Sequence, residues 1–207
     1  MDYAFITTAF VTMFVVIDPI GLAPLYIAIT QNMGEAQQRR IAFRACAIAS
    51  VVLLAFAIFG DAVLSVAGIS MPAFRVAGGI LLFLTALEML FERRTKRRED
   101  HSEAERDDPS VFPLAIPLIA GPGAIASIVL LMGQRPGAEG AAMVLGATAA
   151  VLAIVMLFFM ASGRIGRLLG KTGITVLTRL FGMLLAALSV QFVLDGLSAF
   201  GFGPGPG

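Results

Sequence analysis

Apolar residues run through this chain in six long stretches, without the alternation of a strand or the single stripe of a soluble helix. They cover residues 4–30, 42–64, 72–91, 111–133, 140–163 and 177–199. Each is close to the roughly 20 residues a helix needs to cross about 30 Å of hydrocarbon. A helix apolar on every side offers water no face, so the pattern predicts an all-α membrane protein with six transmembrane helices. The one long polar stretch, 92–110, is basic in its first half and acidic in its second, and reads as a charged cytoplasmic linker between three-helix repeats at 1–91 and 111–200. Residues 201–207, rich in glycine and proline, have no means of building a core and read as a flexible external tail.

Composition strengthens this picture. Hydrophobic residues make up 58% of the 207 positions and charged residues 14%, more apolar surface than a soluble domain of this size can bury. Basic residues after spans one, three and five (Arg39, Arg40 and Arg44; the cluster from Arg93 to Arg106; Arg164, Arg167 and Lys171) fall on one side, against Arg135 and Arg75 on the other. The positive-inside rule then puts those loops in the cytoplasm and both termini outside. A basic cluster beside a helix end can also hold anionic lipid, but a topology signal is the simpler reading. A net charge of +1 without a basic face gives no reason to expect nucleic acid. The N-terminus lacks the basic start of a cleavable leader, so the first stretch is read as a retained span.

Two stretches are interrupted in matching places. Ile-Asp-Pro-Ile-Gly-Leu-Ala-Pro occupies 17–24, and Pro-Leu-Ala-Ile-Pro-Leu-Ile-Ala-Gly-Pro-Gly-Ala-Ile-Ala-Ser occupies 113–127. Proline lacks an amide hydrogen and displaces the carbonyl four residues earlier, so helices 1 and 4 are expected to break near mid-membrane, with Pro19, Pro24, Pro117 and Pro122 freeing the oxygens of Val15, Ile20, Pro113 and Leu118. Asp18 reads as an N-cap with Pro19 at the first helical position. Gly121, placed likewise before Pro122, has no side chain to cap with, which leaves the amides of Gly123 and Ala124 for a carboxylate. Free carbonyls suit an ammonium group. A small zwitterion such as an amino acid matches both, so the candidate substrate-binding residues are Asp18, Pro19, Ile20, Gly21, Gly121, Pro122, Gly123 and Ala124. The bland alternative is a pair of packing kinks.

Sliding the chain by 103 or 104 residues lays Asp18-Pro19 on Gly121-Pro122, Phe59-Gly60 near Ser162-Gly163, and Arg75 to Gly78 on Arg179 to Gly182. Three spans per half invert the second copy, giving two inverted repeats that rock about a central site. Asp18, the acid deepest in a span, is the candidate for proton coupling, with capping as the alternative. Arg75 and Arg179 are candidates for gating or ion-pair roles, Arg75 with Asp61 or Asp18 as partner or at the external entrance, Arg179 toward a carboxylate. Thr85, Ser189 and Gln191 offer hydrogen bonds, more often between helices than to cargo, and Ala142, Gly146 and Ala150 read as a packing stripe that leaves oligomer formation open. Cys46 reads as a small core residue, and His101 has no metal-ligand company. No metal or cofactor motif and no enzyme signature is found, so the chain is read as neither an enzyme nor an ATP-driven pump.

These motifs, together with Phe74-Arg75-Val-Ala-Gly-Gly, resemble the MarC family of bacterial inner-membrane proteins over about residues 2–200. The family is similar to LysE-type exporters. The resemblance implies movement of glycine, alanine or related neutral amino acids with proton coupling, and points to Asp18, Pro19, Gly21, Pro24, Arg75, Gly78, Pro117, Gly121, Pro122 and Gly123. A lipid-handling flippase and a non-transporting membrane scaffold are the competing expectations.

Overall fold

The computed structural model describes residues 2–30, 33–91 and 108–202, less the side chains of 163–169 and 171. Most of the expected linker, from 92 to 107, and the tail from 203 lie outside the described residues. Among the described residues every regular element is helical. Helices α1 (Tyr3–Ile17) and α2 (Pro19–Thr30) are separated only by Asp18, and α3 (Glu35–Val66) and α4 (Met71–Leu90) follow. An irregular, wide-turned segment, α5 (Ser110–Ile119), then leads into α6 (Pro122–Gln134). The last helical run, Ala138–Ala199, turns at Gly170, where φ 59° and ψ 176° form a conformation open almost only to glycine. It divides into α7 (Ala138–Ser162) and α8 (Thr172–Ala199).

Among the described residues, five stretches are long and apolar enough to cross a membrane: Tyr3–Thr30, α3, α4, α7 and α8. A sixth is made by α5 and α6 taken together, bent by 52° where they join. Each matches an expected span to within a few residues, except that α3 begins well before its apolar stretch. Outward faces are those of a protein solvated by lipid, with Val51 67% and Ile58 58% exposed on α3. Such surfaces would be a liability in water and are solvated in hydrocarbon.

The centre is occupied by α6, whose residues from Ala126 through Leu131 are all buried, as expected of a helix apolar all round. It packs against α1, α3 and α4, and the same core cluster holds Ile17 of α1, Leu22 of α2, Leu53 of α3, Leu82 of α4 and Phe159 of α7, each essentially inaccessible. The end of α2 is tied down by polar contacts, since Tyr26 Oη donates to the Gln38 carbonyl at 2.8 Å and Gln38 Nε2 donates to the Thr30 carbonyl at 2.8 Å. The Tyr26 ring stacks on Phe159, with centroids 4.5 Å apart.

Helices α4 and α8 form an antiparallel seam in which glycines bring the backbones together. A Cβ on Gly79 would lie 2.8 Å from the Ser189 carbonyl oxygen, and one on Gly182 would lie 3.2 Å from the Ala86 carbonyl oxygen. One on Gly196 would lie 2.9 Å from the Pro72 oxygen. In lipid, where apolar surface alone gives little reason to associate, such close approach supplies the packing energy. The seam is also reciprocal: a shift of 103 residues carries Gly79 onto Gly182 and Ala86 onto Ser189.

Candidate functional site

The residue before a proline is pushed toward extended backbone, and three of the five at the interruptions comply, while Ala23 before Pro24 stays helical within α2. Phe112 (φ −126°, ψ 125°) and Ile116 (φ −129°, ψ 124°) are extended inside α5, and Gly121 (φ −81°, ψ 170°) is extended before α6. The peptides Phe112–Pro113 and Ile116–Pro117 are cis. Bonds of the wide i to i−5 type, such as Ala120 N–H to the Ala115 carbonyl at 2.9 Å, replace those of a regular helix. This corrects the expectation that Pro117 and Pro122 each free one carbonyl of a regular helix. The whole segment before Gly121 is irregular, because two prolines four residues apart each force their predecessor out of helical conformation.

Asp18 behaves differently. It adopts the left-handed conformation, φ 55° and ψ 66°, which aspartate tolerates better than most residues. Its N–H donates to the Phe14 carbonyl at 3.0 Å and closes α1, while its own carbonyl accepts from Leu22 N–H at 3.0 Å and opens α2. Carboxylate Oδ1 accepts from Gly21 N–H at 3.0 Å, so the side chain caps α2 as the sequence predicts. Asp18 is 0% exposed, and a side chain on Gly21 would collide with its carboxylate. Pro24 is accommodated within α2.

The second interruption is uncapped, with no side chain bonding the start of α6. A Cβ on Gly121 would overlap the Pro117 carbonyl oxygen, so glycine is required for the chain to pass. Gly123 and Ala124 are buried, whereas Pro122 is exposed. The two interruptions meet: a Cβ on Gly123 would lie 3.3 Å from Val16 Cγ1, two residues before Asp18, and 3.2 Å from Leu82 Cδ2. Thr85 Oγ1 is 3.7 Å from the same point. Ser127, one turn along α6, is 0% exposed, and its Oγ has no hydrogen-bond partner. Ser127 is not among the residues that the sequence pattern singles out, although a hydroxyl one turn beyond an uncapped helix start is visible there.

The arginines stand apart from this point. Arg75, ten residues before Thr85 on a helix rising 1.5 Å per residue, is roughly 15 Å along α4 from the junction. Its Nε is buried without a partner, and it pairs with neither Asp61 nor Asp18. The reason is packing: α4 lies along α8 rather than α3, and Asp61 is exposed on α3. Arg179 is exposed on α8.

Ion pairs join separate elements at two places among the described residues. Arg135 Nη1 donates to Asp2 Oδ2 at 2.8 Å, with its guanidinium carbon 5.6 Å from the centre of the Phe5 ring. Asp2 Oδ1 caps α1 by accepting from Phe5 N–H at 3.2 Å. That bond, with the Arg135 charge, holds the Asp2 carboxyl below its usual range. Arg44 Nη1 lies 2.7 Å from Asp108 Oδ2, and Ser110 donates its hydroxyl to Asp108 Oδ1 at 2.5 Å. The Ser110 hydroxyl, then its N–H and the charges of Arg44 and Arg40, lower the Asp108 carboxyl against a smaller opposing effect of burial.

Residues 3–200 match the family described as MarC family integral membrane protein. The chain belongs to the MarC family. It is 37% identical over 202 residues to the UPF0056 membrane protein YvbG of Bacillus subtilis, covering 95% of this chain and 96% of the relative. A membrane protein of Archaeoglobus fulgidus is 35% identical, with 94% of this chain and 93% of the relative covered. One from Buchnera aphidicola subsp. Schizaphis graminum is 32% identical, with 96% and 94% covered. No solved structure matches the chain. MarC membership and several apolar helices make this an integral membrane protein.

Proposed function

We propose that this MarC protein is a proton-coupled secondary transporter of small neutral amino acids, of the glycine and alanine type. In this reading six spans form two inverted three-helix halves, the interruptions at Asp18 and before Gly121 lie near mid-membrane, and both termini face outward from the bacterial inner membrane. The observation that carries the proposal is the meeting of the interruptions, where the uncapped start of α6 abuts the last turn of α1 beside a buried acid. Amides at a helix start favour a carboxylate, and Asp18 favours an ammonium group, so the ends of a zwitterion are matched by different elements. The reciprocal contacts of Gly79 and Gly182 support the inverted repeat, since a two-fold relation between α4 and α8 requires each contact to occur twice. Arg75 and Arg179 lie within one residue of equivalent positions in the 103-residue register of the seam and are assigned to gating.

Purified protein in vesicles, supplied with labelled glycine and alanine with and without an imposed proton gradient, tests the proposal. Uptake above that of empty vesicles, increased by the gradient, is expected; none under either condition overturns it. One feature favours lipid handling instead. An apolar groove of about 530 Å³ between α3 and α7, lined by Phe43, Leu53, Leu145 and Leu152 among others, is open on one side. Transfer of labelled phospholipid between leaflets, without amino acid uptake, would select that reading.

A further inference from the structure

Several hydroxyls inside these helices are spent on their own backbone. Thr30 donates to the Tyr26 carbonyl at 2.7 Å, Ser50 to Cys46 at 2.7 Å, Thr148 to Val144 at 2.8 Å and Ser189 to Ala186 at 2.6 Å. Back-bonding of this kind is how a serine or threonine satisfies itself in an apolar helix. Ser127 departs from it, being 0% exposed with its Oγ bonded to nothing. A buried hydroxyl without a partner is costly, and most native ones are satisfied.

Its position gives the departure a direction. Side chains on a helix lean toward the N-terminus, and residues four apart share a face. Ser127 therefore leans over the turn of Gly123, which carries no side chain of its own and is approached closely by Val16, Leu82 and Thr85. No side chain caps this helix start.

On the transport reading, we infer that Ser127 is a cargo-binding residue. Its hydroxyl donates to the carboxylate held by the amides of Gly123 and Ala124, so that α6 presents main-chain and side-chain donors along one flank of its first turns. The hydroxyl then distinguishes a carboxylate from an uncharged carbonyl, because a donor to a charged acceptor contributes more than one to a neutral group.

Ser127→Ala removes the donor with little change in shape. Its apparent affinity for glycine and alanine is expected to fall about tenfold or more, the cost of a hydrogen bond to a charged group, while yield and melting temperature hold. Unchanged affinity in a variant whose parent transports glycine overturns the inference and leaves the transport reading standing. A second measurement does not depend on transport. In a Cys46→Ala background, which removes the chain's one cysteine, the Ser127→Cys protein is treated with a small water-soluble thiol reagent in the presence of glycine, acetate or acetamide. Labelling that glycine and acetate slow and acetamide does not is expected. If the parent moves no amino acid but acetate still protects, the carboxylate site stands and the amino acid reading falls. Absence of labelling, or equal protection by acetamide, overturns the inference.

Discussion

Arg135 and Asp2, 133 positions apart in the chain, meet through a 2.8 Å hydrogen bond between Nη1 and Oδ2. The start of α1 is thereby tied to the segment after α6. Arg44 and Asp108 do the converse, tying the start of α5 to α3, the helix that follows α2. The bonds to Phe5 N–H and Arg135 lower the Asp2 carboxyl in the folded state, so their contribution is present above the ordinary aspartate range and is lost as pH falls through the lowered value. Asparagine keeps the cap but not the charge. Melting temperatures in detergent from pH 3 to 6 should therefore fall more steeply with acid in the parent than in Asp2→Asn. Parallel curves would show that the charge of Asp2 contributes nothing.

At the other pair, Asp108 and Arg44 both reach solvent, so their direct coupling should be no more than about 1 kcal/mol. A double-mutant cycle of Arg44→Ala and Asp108→Ala reads it as non-additivity in stability. Asp108→Ala should cost more than Arg44→Ala, because it also strands the Ser110 hydroxyl. Equal costs would place the Ser110 contact outside the energetics.

Glycines in this chain do not serve one purpose. Gly79→Leu drives a side chain into the Ser189 carbonyl and Val193, and should destabilise by about 1–3 kcal/mol or more, as overpacking does. Gly146, where a Cβ would meet no other atom within 4 Å, should accept leucine without loss. Size-exclusion profiles after a heating series distinguish them, and equal tolerance at both sites would mean that the α4 and α8 backbones are not held together by contact.

Capping and coupling at Asp18 can be separated. Asp18→Asn retains an acceptor for Gly21 N–H and tolerates left-handed backbone, whereas Asp18→Ala loses the cap at a cost of about 0.5–2 kcal/mol. Lower thermal stability is expected for alanine and near-parental stability for asparagine. In vesicles, asparagine should abolish stimulation by a proton gradient; stimulation at the parental level would leave Asp18 a cap alone.

The spans are legible in the sequence because hydropathy is summed over some 20 residues and survives any local irregularity. The caps are legible at Asp18 and Gly121, since capping depends on one residue and its immediate neighbours. The extended backbone at Phe112 and Ile116 is not, because a proline weighed alone reads as a kink in an otherwise regular helix, and here two act on one segment. The seam of Gly79 against Ser189 and the unspent hydroxyl of Ser127 depend on which helix lies alongside, which residue order along one chain does not reveal. The acidic partners expected for Arg75 fail for the same reason, since they depend on the direction in which α4 packs.

The glycine seam limits how the molecule can move. With the backbones of α4 and α8 in contact at several levels, the pair acts as a keel shared by both ends of the chain, and parting it would forfeit the close backbone packing that holds helices together in lipid. On the transport reading, opening toward either face of the membrane is then borne by the segments that flank the keel, swinging at Asp18 and at the irregular turns before Gly121.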